Sequence, residues 1–281
     1  MPNIRELLQS ATESLADLAE PRFEAELLLA EALNQDRTYL HTWPERCPDD
    51  KALLRFNGWL ARRVAGEPIA YILGHREFWS LDLQVNEHCL IPRHDTELLV
   101  ETTLATLDSH AALAVAELGT GSGAIALALA SECPTWQITA ADIDLEALKV
   151  AKTNAEQLQL SNVSFHQSNW CQQLQRQQFH AIVSNPPYLA DDDPHLFAGD
   201  LPYEPRHALA AGEDGLDAIR QIARQARDYL QDMGWLLLEH GWQQGQAVQG
   251  CLAGQGYEGI KTLTDLNDLP RVTIGRFCSN P

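Results

Sequence analysis

From Leu113 onward the chain alternates short apolar, β-branched runs with longer stretches of helical periodicity, and this alternation restricts the fold more than any other feature. The spacing predicts strands at 113–118, 137–142, 163–167, 179–184, 234–239, 256–262 and 271–277, and helices at 123–131, 145–158, 216–231 and 243–253. Strands joined through helices run parallel, and their continuous apolar character means that helices cover both faces of the sheet. The last two strands are separated only by a polar loop, which fits an antiparallel hairpin at the end of the sheet. An α/β, doubly wound architecture follows.

In such a sheet ligands bind outside the carboxyl ends of the strands, so the chemistry is sought there. The strand at 113–118 runs into Glu117-Leu118-Gly119-Thr120-Gly121-Ser122-Gly123 and then into the apolar helix that begins at Ala124. Glycines at this turn let the backbone approach a ligand and leave the N–H groups of the following helix free. Asp142 ends the next strand, the usual place for a carboxylate that accepts from both hydroxyls of a ribose. Glycines alone would fit a plain tight turn; with Asp142 on the right element, a nucleotide-like cofactor is the better reading. The turn is G-x-G-x-G rather than the dinucleotide fingerprint G-x-G-x-x-G. Its acid, Glu117, would repel a pyrophosphate but suits a cationic ligand.

The strand at 179–184 is stopped by Pro186-Pro187, because proline lacks the N–H that a sheet ladder needs. Asn185-Pro186-Pro187-Tyr188 therefore lies at the same sheet edge. Asn185 Oδ1 and the Pro186 carbonyl are acceptors, the two prolines stiffen the turn, and Tyr188 offers a stacking face. This is a site for a planar group carrying NH2. The bland alternative is a strand ending in a Pro-Pro turn with an Asn cap.

Ahead of the sheet, residues 1–66 read as a helical bundle. Ile4, Leu7, Leu8 and Leu15 fall at helical spacing; Pro21 opens a run with Phe23, Leu27, Leu28 and Leu33; Pro48-Asp49-Asp50 opens another with Leu53, Leu54, Phe56, Leu60 and Val64, closed by Gly66. With no nucleophile, metal cluster or phosphate loop, the bundle is expected to grip a substrate or partner. Residues 67–96 read as a structured linker in which Tyr71-Ile72-Leu73 and Phe78 to Val85 form a short β-hairpin across Gly74-His75. A helix at 97–107, capped by Asp95 or Thr96, opens the third segment, 97–281.

Composition excludes several functions. Twenty Lys and Arg against 39 Asp and Glu give a formal charge of -19, which repels a phosphate backbone, so no direct nucleic-acid binding is expected. No apolar run reaches the roughly 18 residues of a membrane span, and the polar N-terminus does not read as a signal peptide, so the cytoplasm is expected. A monomer is expected, with no residue pattern behind it. The six cysteines include no C-x-x-C, and the ten histidines show no H-x-x-x-H, so no metal is expected. Asp191-Asp192-Asp193 reads as a solvated loop.

Glu117 to Gly123, Asp142 and Asn185-Pro186-Pro187-Tyr188, in this order, resemble the class I S-adenosylmethionine-dependent methyltransferases that act on planar amino or amide nitrogens. With the helical bundle, Gly74-His75-Arg76-Glu77-Phe78-Trp79-Ser80, Ile91-Pro92-Arg93-His94-Asp95-Thr96-Glu97 and Leu238-Glu239-His240-Gly241, nearly the whole chain resembles the PrmC/HemK family of release factor glutamine methyltransferases. The resemblance implies a Rossmann-like, seven-stranded methyltransferase sheet with a small N-terminal helical bundle, acting with S-adenosylmethionine on the N5 nitrogen of the Gly-Gly-Gln glutamine in bacterial class 1 peptide chain release factors. It implies a cofactor site of Glu117, Gly119, Thr120, Gly121, Ser122, Gly123, Asp142, Asn169, Trp170 and Asn185. Gly119 to Gly123 would cradle the methionine moiety, Asp142 the ribose, and Trp170 would flank the adenine. The family commonly has an acid where this chain has Asn169, whose amide can still accept from the adenine amine. Asn185, Pro186 and Tyr188 would be catalytic, and Asn185, Pro186, Pro187 and Tyr188 would hold the substrate, with no general base. Rival readings are a glutamine methyltransferase of a ribosomal protein, an N6-adenine DNA methyltransferase, which would need a basic channel, a nucleotide-dependent oxidoreductase, which leaves Asn185-Pro186-Pro187-Tyr188 unexplained, and a non-catalytic binding protein.

Overall fold

A computed structural model describes residues 1–175 and 178–278; the final stretch of the expected third segment, 279–281, lies outside the described residues. The chain divides into two compact units, Met1–Gly74 and His75–Pro281.

The first unit holds α1 (Ile4–Ser14), α2 (Pro21–Leu33), α3 (Arg37–Thr42), α4 (Asp50–Val64) and α5 (Ile69–Leu73). Asn3 starts α1 with a reciprocal cap: its side chain accepts from the Glu6 amide while the Glu6 carboxylate accepts from the Asn3 amide, both at 3.0 Å. Ile4 and Leu8 of α1 pack with Leu28 and Leu29 of α2 and Phe56 of α4 in one core. Tyr71-Ile72-Leu73, expected as a strand, lies in α5 instead. Pro68 opens that helix, Gly74 at φ +83° closes it, and Ile72 is buried in the helical core. An apolar run this short has no period of its own, so its packing decides its state.

The second unit opens with a hairpin of β1 (His75–Phe78) and β2 (Leu81–Gln84), turned by Trp79 and Ser80, and continues with α6 (Glu97–Thr106). Then come β3 (Ala114–Leu118), α7 (Ala124–Glu132), β4 (Gln137–Asp142), α8 (Leu145–Gln157), β5 (Val163–Gln167) and β6 (Phe179–Ser184). The remainder is α9 (Asp217–Ala226), β7 (Leu230–Glu239), α10 (Gly245–Gly254), β8 (Tyr257–Thr264) and β9 (Pro270–Phe277). The seven-stranded sheet has the order β5-β4-β3-β6-β7-β9-β8, parallel except that β9 runs antiparallel to both its neighbours. The final strand thus inserts between β7 and β8. Helix α9 ends earlier than its pattern predicts and β7 starts earlier, because Leu230 is buried and pairs with Phe179.

Alternate residues on each strand serve opposite faces. Val183 and Leu237 join the core beneath α7, which is apolar all round, whereas Ile182 and Leu238 join the core containing Ile219 and Ile222 of α9. The chain leaves β3 toward β4 on one side and returns to β6 on the other, so a crevice opens between β3 and β6 at their carboxyl ends. Among the described residues no helix is long and apolar enough to cross a membrane.

The hairpin is tied to this edge by Asn154 of α8, which is fully buried. Its amide donates to the carbonyls of Gln84 at 3.0 Å and Ser122 at 2.9 Å and accepts from the Gln84 amide at 2.7 Å. Asn154→Ala removes three hydrogen bonds to backbone groups, one buried and two half-buried, and its unfolding free energy in a denaturant titration should fall by about 3 kcal/mol.

Candidate active site

Leu118 of β3 and Ser184 of β6 are register partners, and the Ser184 hydroxyl donates to the Leu118 carbonyl at 2.7 Å. Gly119 and Asn185 therefore leave the sheet side by side. The Gly119 and Thr120 amides both donate to the Ala141 carbonyl, at 2.8 and 2.9 Å, and the Gly121 amide donates to Asp142 Oδ2 at 2.8 Å. Gly119 has φ +75°, and a Cβ there would lie 3.4 Å from the Trp170 ring, which stands over the turn. Burial holds the Asp142 carboxyl above the usual range, against the pull of the Asp144 and Gly121 amides.

A cavity of about 210 Å³ opens here, lined by Gly119, Gly121, Asp142, Asn169, Trp170, Asn185 and Pro187 among others. A second, of about 500 Å³, is lined by Asn185, Pro186, Pro187 and Tyr188 together with Arg76, Arg93, His94, Asp95 and His195. Leu90, Asn185, Pro187 and Ala208 belong to both walls, so Asn185 stands where the two meet. Glu117, Thr120, Ser122 and Gly123 line neither cavity. Glu117 is 1% exposed, and its Oε2 accepts from the Thr120 hydroxyl at 2.6 Å and the Ala126 amide at 3.0 Å. The acid expected to face a cationic ligand instead braces the turn and the first residues of α7 from below.

Several supports escaped the sequence reading. Thr96, expected as a helix cap, makes no side-chain cap; its hydroxyl accepts from Asn185 Nδ2 at 3.0 Å. Gln244 Nε2 donates to the Tyr188 carbonyl at 2.9 Å, and a Cβ on Gly215 would lie 2.2 Å from that same oxygen, so only glycine fits beside it. Glu204 binds the Ile91 amide at 3.0 Å and pairs with Arg93, tying the loop after Tyr188 to the segment before α6. Arg93 thus has a carboxylate partner in the second cavity's wall. Arg76 Nε is buried there without a partner, while Arg76 Nη2 meets His94 Nε2 at 3.2 Å.

Burial pushes the Glu117 carboxyl from 4.5 up to about 8, against the pull of Thr120 and Ala126. The folded chain keeps this proton where the unfolded chain has lost it, so stability falls as pH rises between those two values. Glu117→Gln retains an acceptor oxygen and removes the titration. Its melting temperature, measured from about pH 5 to 9, should decline less steeply than that of the unaltered chain.

Residues 6–74 match the PrmC N-terminal domain, and residues 94–200 match the methyltransferase small domain. The chain is 52% identical over 263 residues to the release factor glutamine methyltransferase of Pseudomonas aeruginosa, covering 94% of this chain and 95% of that one. It is 45% identical over 277 residues to the release factor glutamine methyltransferase of Coxiella burnetii, covering 98% and 99%. In fold it is similar to the crystal structure of a methyltransferase from Pyrococcus furiosus, with a TM-score of 0.55 at 18% identity, covering 79% of this chain and 100% of that one. With relatives this similar over nearly their full length, and the glycine turn and Asn185-Pro186-Pro187-Tyr188 side by side at the sheet edge, the chain belongs to the release factor glutamine methyltransferase family.

Proposed function

We propose that this enzyme transfers a methyl group from S-adenosylmethionine to the N5 amide nitrogen of the Gly-Gly-Gln glutamine in bacterial class 1 peptide chain release factors. The observation that carries this reading is the position of Asn185 in the walls of both cavities, which stands an amide side chain between a cofactor on one side and an acceptor amide on the other.

The first cavity fits the cofactor. Asp142 offers carboxylate oxygens to ribose hydroxyls, Trp170 an aromatic face to the adenine, and Asn169 an amide for its amine. The glycine at 119 keeps the floor below Trp170 clear of a Cβ that would fill it. Glu117, Thr120, Ser122 and Gly123 hold the shape of the turn from beneath. When bound, S-adenosylmethionine supplies an electrophilic methyl carbon on a sulfonium.

An amide nitrogen is a weak nucleophile because its lone pair is delocalised into the carbonyl. In this reading Asn185 Oδ1 and the Pro186 carbonyl accept the two hydrogens of the substrate NH2. That fixes the plane of the amide and turns the nitrogen toward the first cavity, so orientation supplies the rate. Pro187 and Tyr188 shape the slot. No strong base is assigned, because the nitrogen sheds a proton readily once alkylated.

The helical unit is read as the part that docks the body of the release factor. Arg37 lies over the Phe23 ring and Arg46 over the Trp43 ring, each 4.6 Å from the centroid, and both rings are exposed. Aromatic and arginine side chains of this kind are enriched in protein interfaces.

Purified enzyme with labelled S-adenosylmethionine should label a release factor and leave unlabelled a copy whose Gly-Gly-Gln glutamine is alanine; equal labelling of the two, or of neither, overturns the reading. Asn185→Ala should lower kcat by roughly 100-fold or more while cofactor binding, measured by calorimetry, changes little. Trp170→Ala should show the opposite pattern, with cofactor affinity reduced about tenfold.

A further inference from the structure

Glu239 ends β7, is 2% exposed, and has no part in the chemistry above. The β6 and β7 register pairs Ser184 with Leu238, so the residues that follow, Asn185 and Glu239, leave neighbouring strands together. Thr96, also buried, lies beside both. Its hydroxyl oxygen accepts from Asn185 Nδ2 at 3.0 Å, which leaves its single proton for another acceptor, and the buried Glu239 carboxyl, which the Thr96 and Asn185 side chains both pull down, is the acid beside it. Oε2 of Glu239 is buried without a partner.

This arrangement distinguishes the two ends of the Asn185 amide. With NH2 turned inward, it meets two acceptors. Turned over, Oδ1 would meet a carboxylate, and NH2 would face the NH2 of the substrate, donor against donor. The geometry points to Glu239 as a positioning residue that, directly and through Thr96, keeps the Asn185 NH2 inward and Oδ1 toward the acceptor amide. The inference rests on the role proposed above for Asn185.

Asp95 ahead of α6, Arg271 of β9 and Tyr188 after β6 also face Glu239, and His240 follows it in the chain. Arg271 is itself paired with Asp95 at 2.9 Å and Asp265 at 3.2 Å, and burial keeps His240 below its usual range. Burial, with Asp95 adding to it, pushes the Glu239 carboxyl up to about 7, against the pull of Thr96, Arg271 and Asn185. Above that value the carboxylate is acceptor-only and the amide has one orientation. Below it, the protonated acid can donate to Oδ1 and the wrong orientation becomes available. Turnover should therefore rise with pH through about 7.

The test compares kcat, cofactor affinity and the pH profile of release factor methylation for the unaltered enzyme and for Glu239→Gln, Thr96→Val, Thr96→Ser and the Glu239→Gln/Thr96→Val pair. Glu239→Gln and Thr96→Val should each lower kcat roughly 10- to 100-fold with cofactor affinity little changed. Thr96→Ser should restore turnover, Glu239→Gln should lose the rise near neutral pH, and the pair should be no worse than the weaker single variant. Normal kcat and an intact pH limb in Glu239→Gln would overturn the inference, as would losses confined to cofactor affinity or melting temperature. If the unaltered enzyme labels no release factor, the proposed function falls and this role falls with it, whereas failure in the variants alone leaves that function standing.

Discussion

The site depends on one pairing, that of β3 with β6 through Leu118 and Ser184, clipped by the Ser184 hydroxyl. Because the two strands are parallel and in register, their chain exits lie one strand spacing apart. A glycine turn emerges from one and a Pro-Pro turn from the other. The first must come close to a ligand and the second must not move. A shift of one residue along either strand would send Asn185 to the opposite face and separate the two cavities that now share it.

Around this pairing the sheet edge collects buried carboxyls. Glu117, Asp142, Glu204 and Glu239 are all raised by desolvation, and each is partly compensated by donors placed against it. The donors differ. Glu117 takes a hydroxyl of the turn and an amide of α7, and Asp142 takes amides of the turns it braces, which makes both part of the loop's conformation. Glu204 takes an arginine and an amide, joining two segments that form the wall of the second cavity. Glu239 is pulled down by the Thr96 and Asn185 side chains, which are themselves bonded to each other. Buried acids of this kind cost stability unless satisfied, and here they set the geometry of loops that carry no regular structure.

Much of the fold was legible because the second unit obeys strong local rules. Strands at the sheet centre are continuous apolar runs, α7 is apolar all round, and proline and glycine mark where β6 and β3 must end. Tyr71-Ile72-Leu73 was misread for want of a period, and its helix is imposed by Pro68, Gly74 and the core around Ile72. Thr96 was placed correctly at a helix start, but its hydroxyl is spent on Asn185, a residue far along the chain. The charge of Glu117, together with the family resemblance, points to the ligand. Burial and two donors make it a brace, and neither is visible from a neighbouring sequence position.

By itself the sequence determined the order of elements, the place of the glycine turn and of Asn185-Pro186-Pro187-Tyr188 at strand ends, and the acidity that disfavours a nucleic-acid partner. Those follow from local sterics, periodicity and counted charge, which need no long-range contact. Only the tertiary structure decided which strand ends are neighbours, that Asn185 is common to two cavities, and that Thr96, Gln244 and Asn154 hold the loops around it. Those contacts join residues tens of positions apart. Their partners are selected by the packing of the sheet and by the need to satisfy buried polar groups, not by any pattern along the chain.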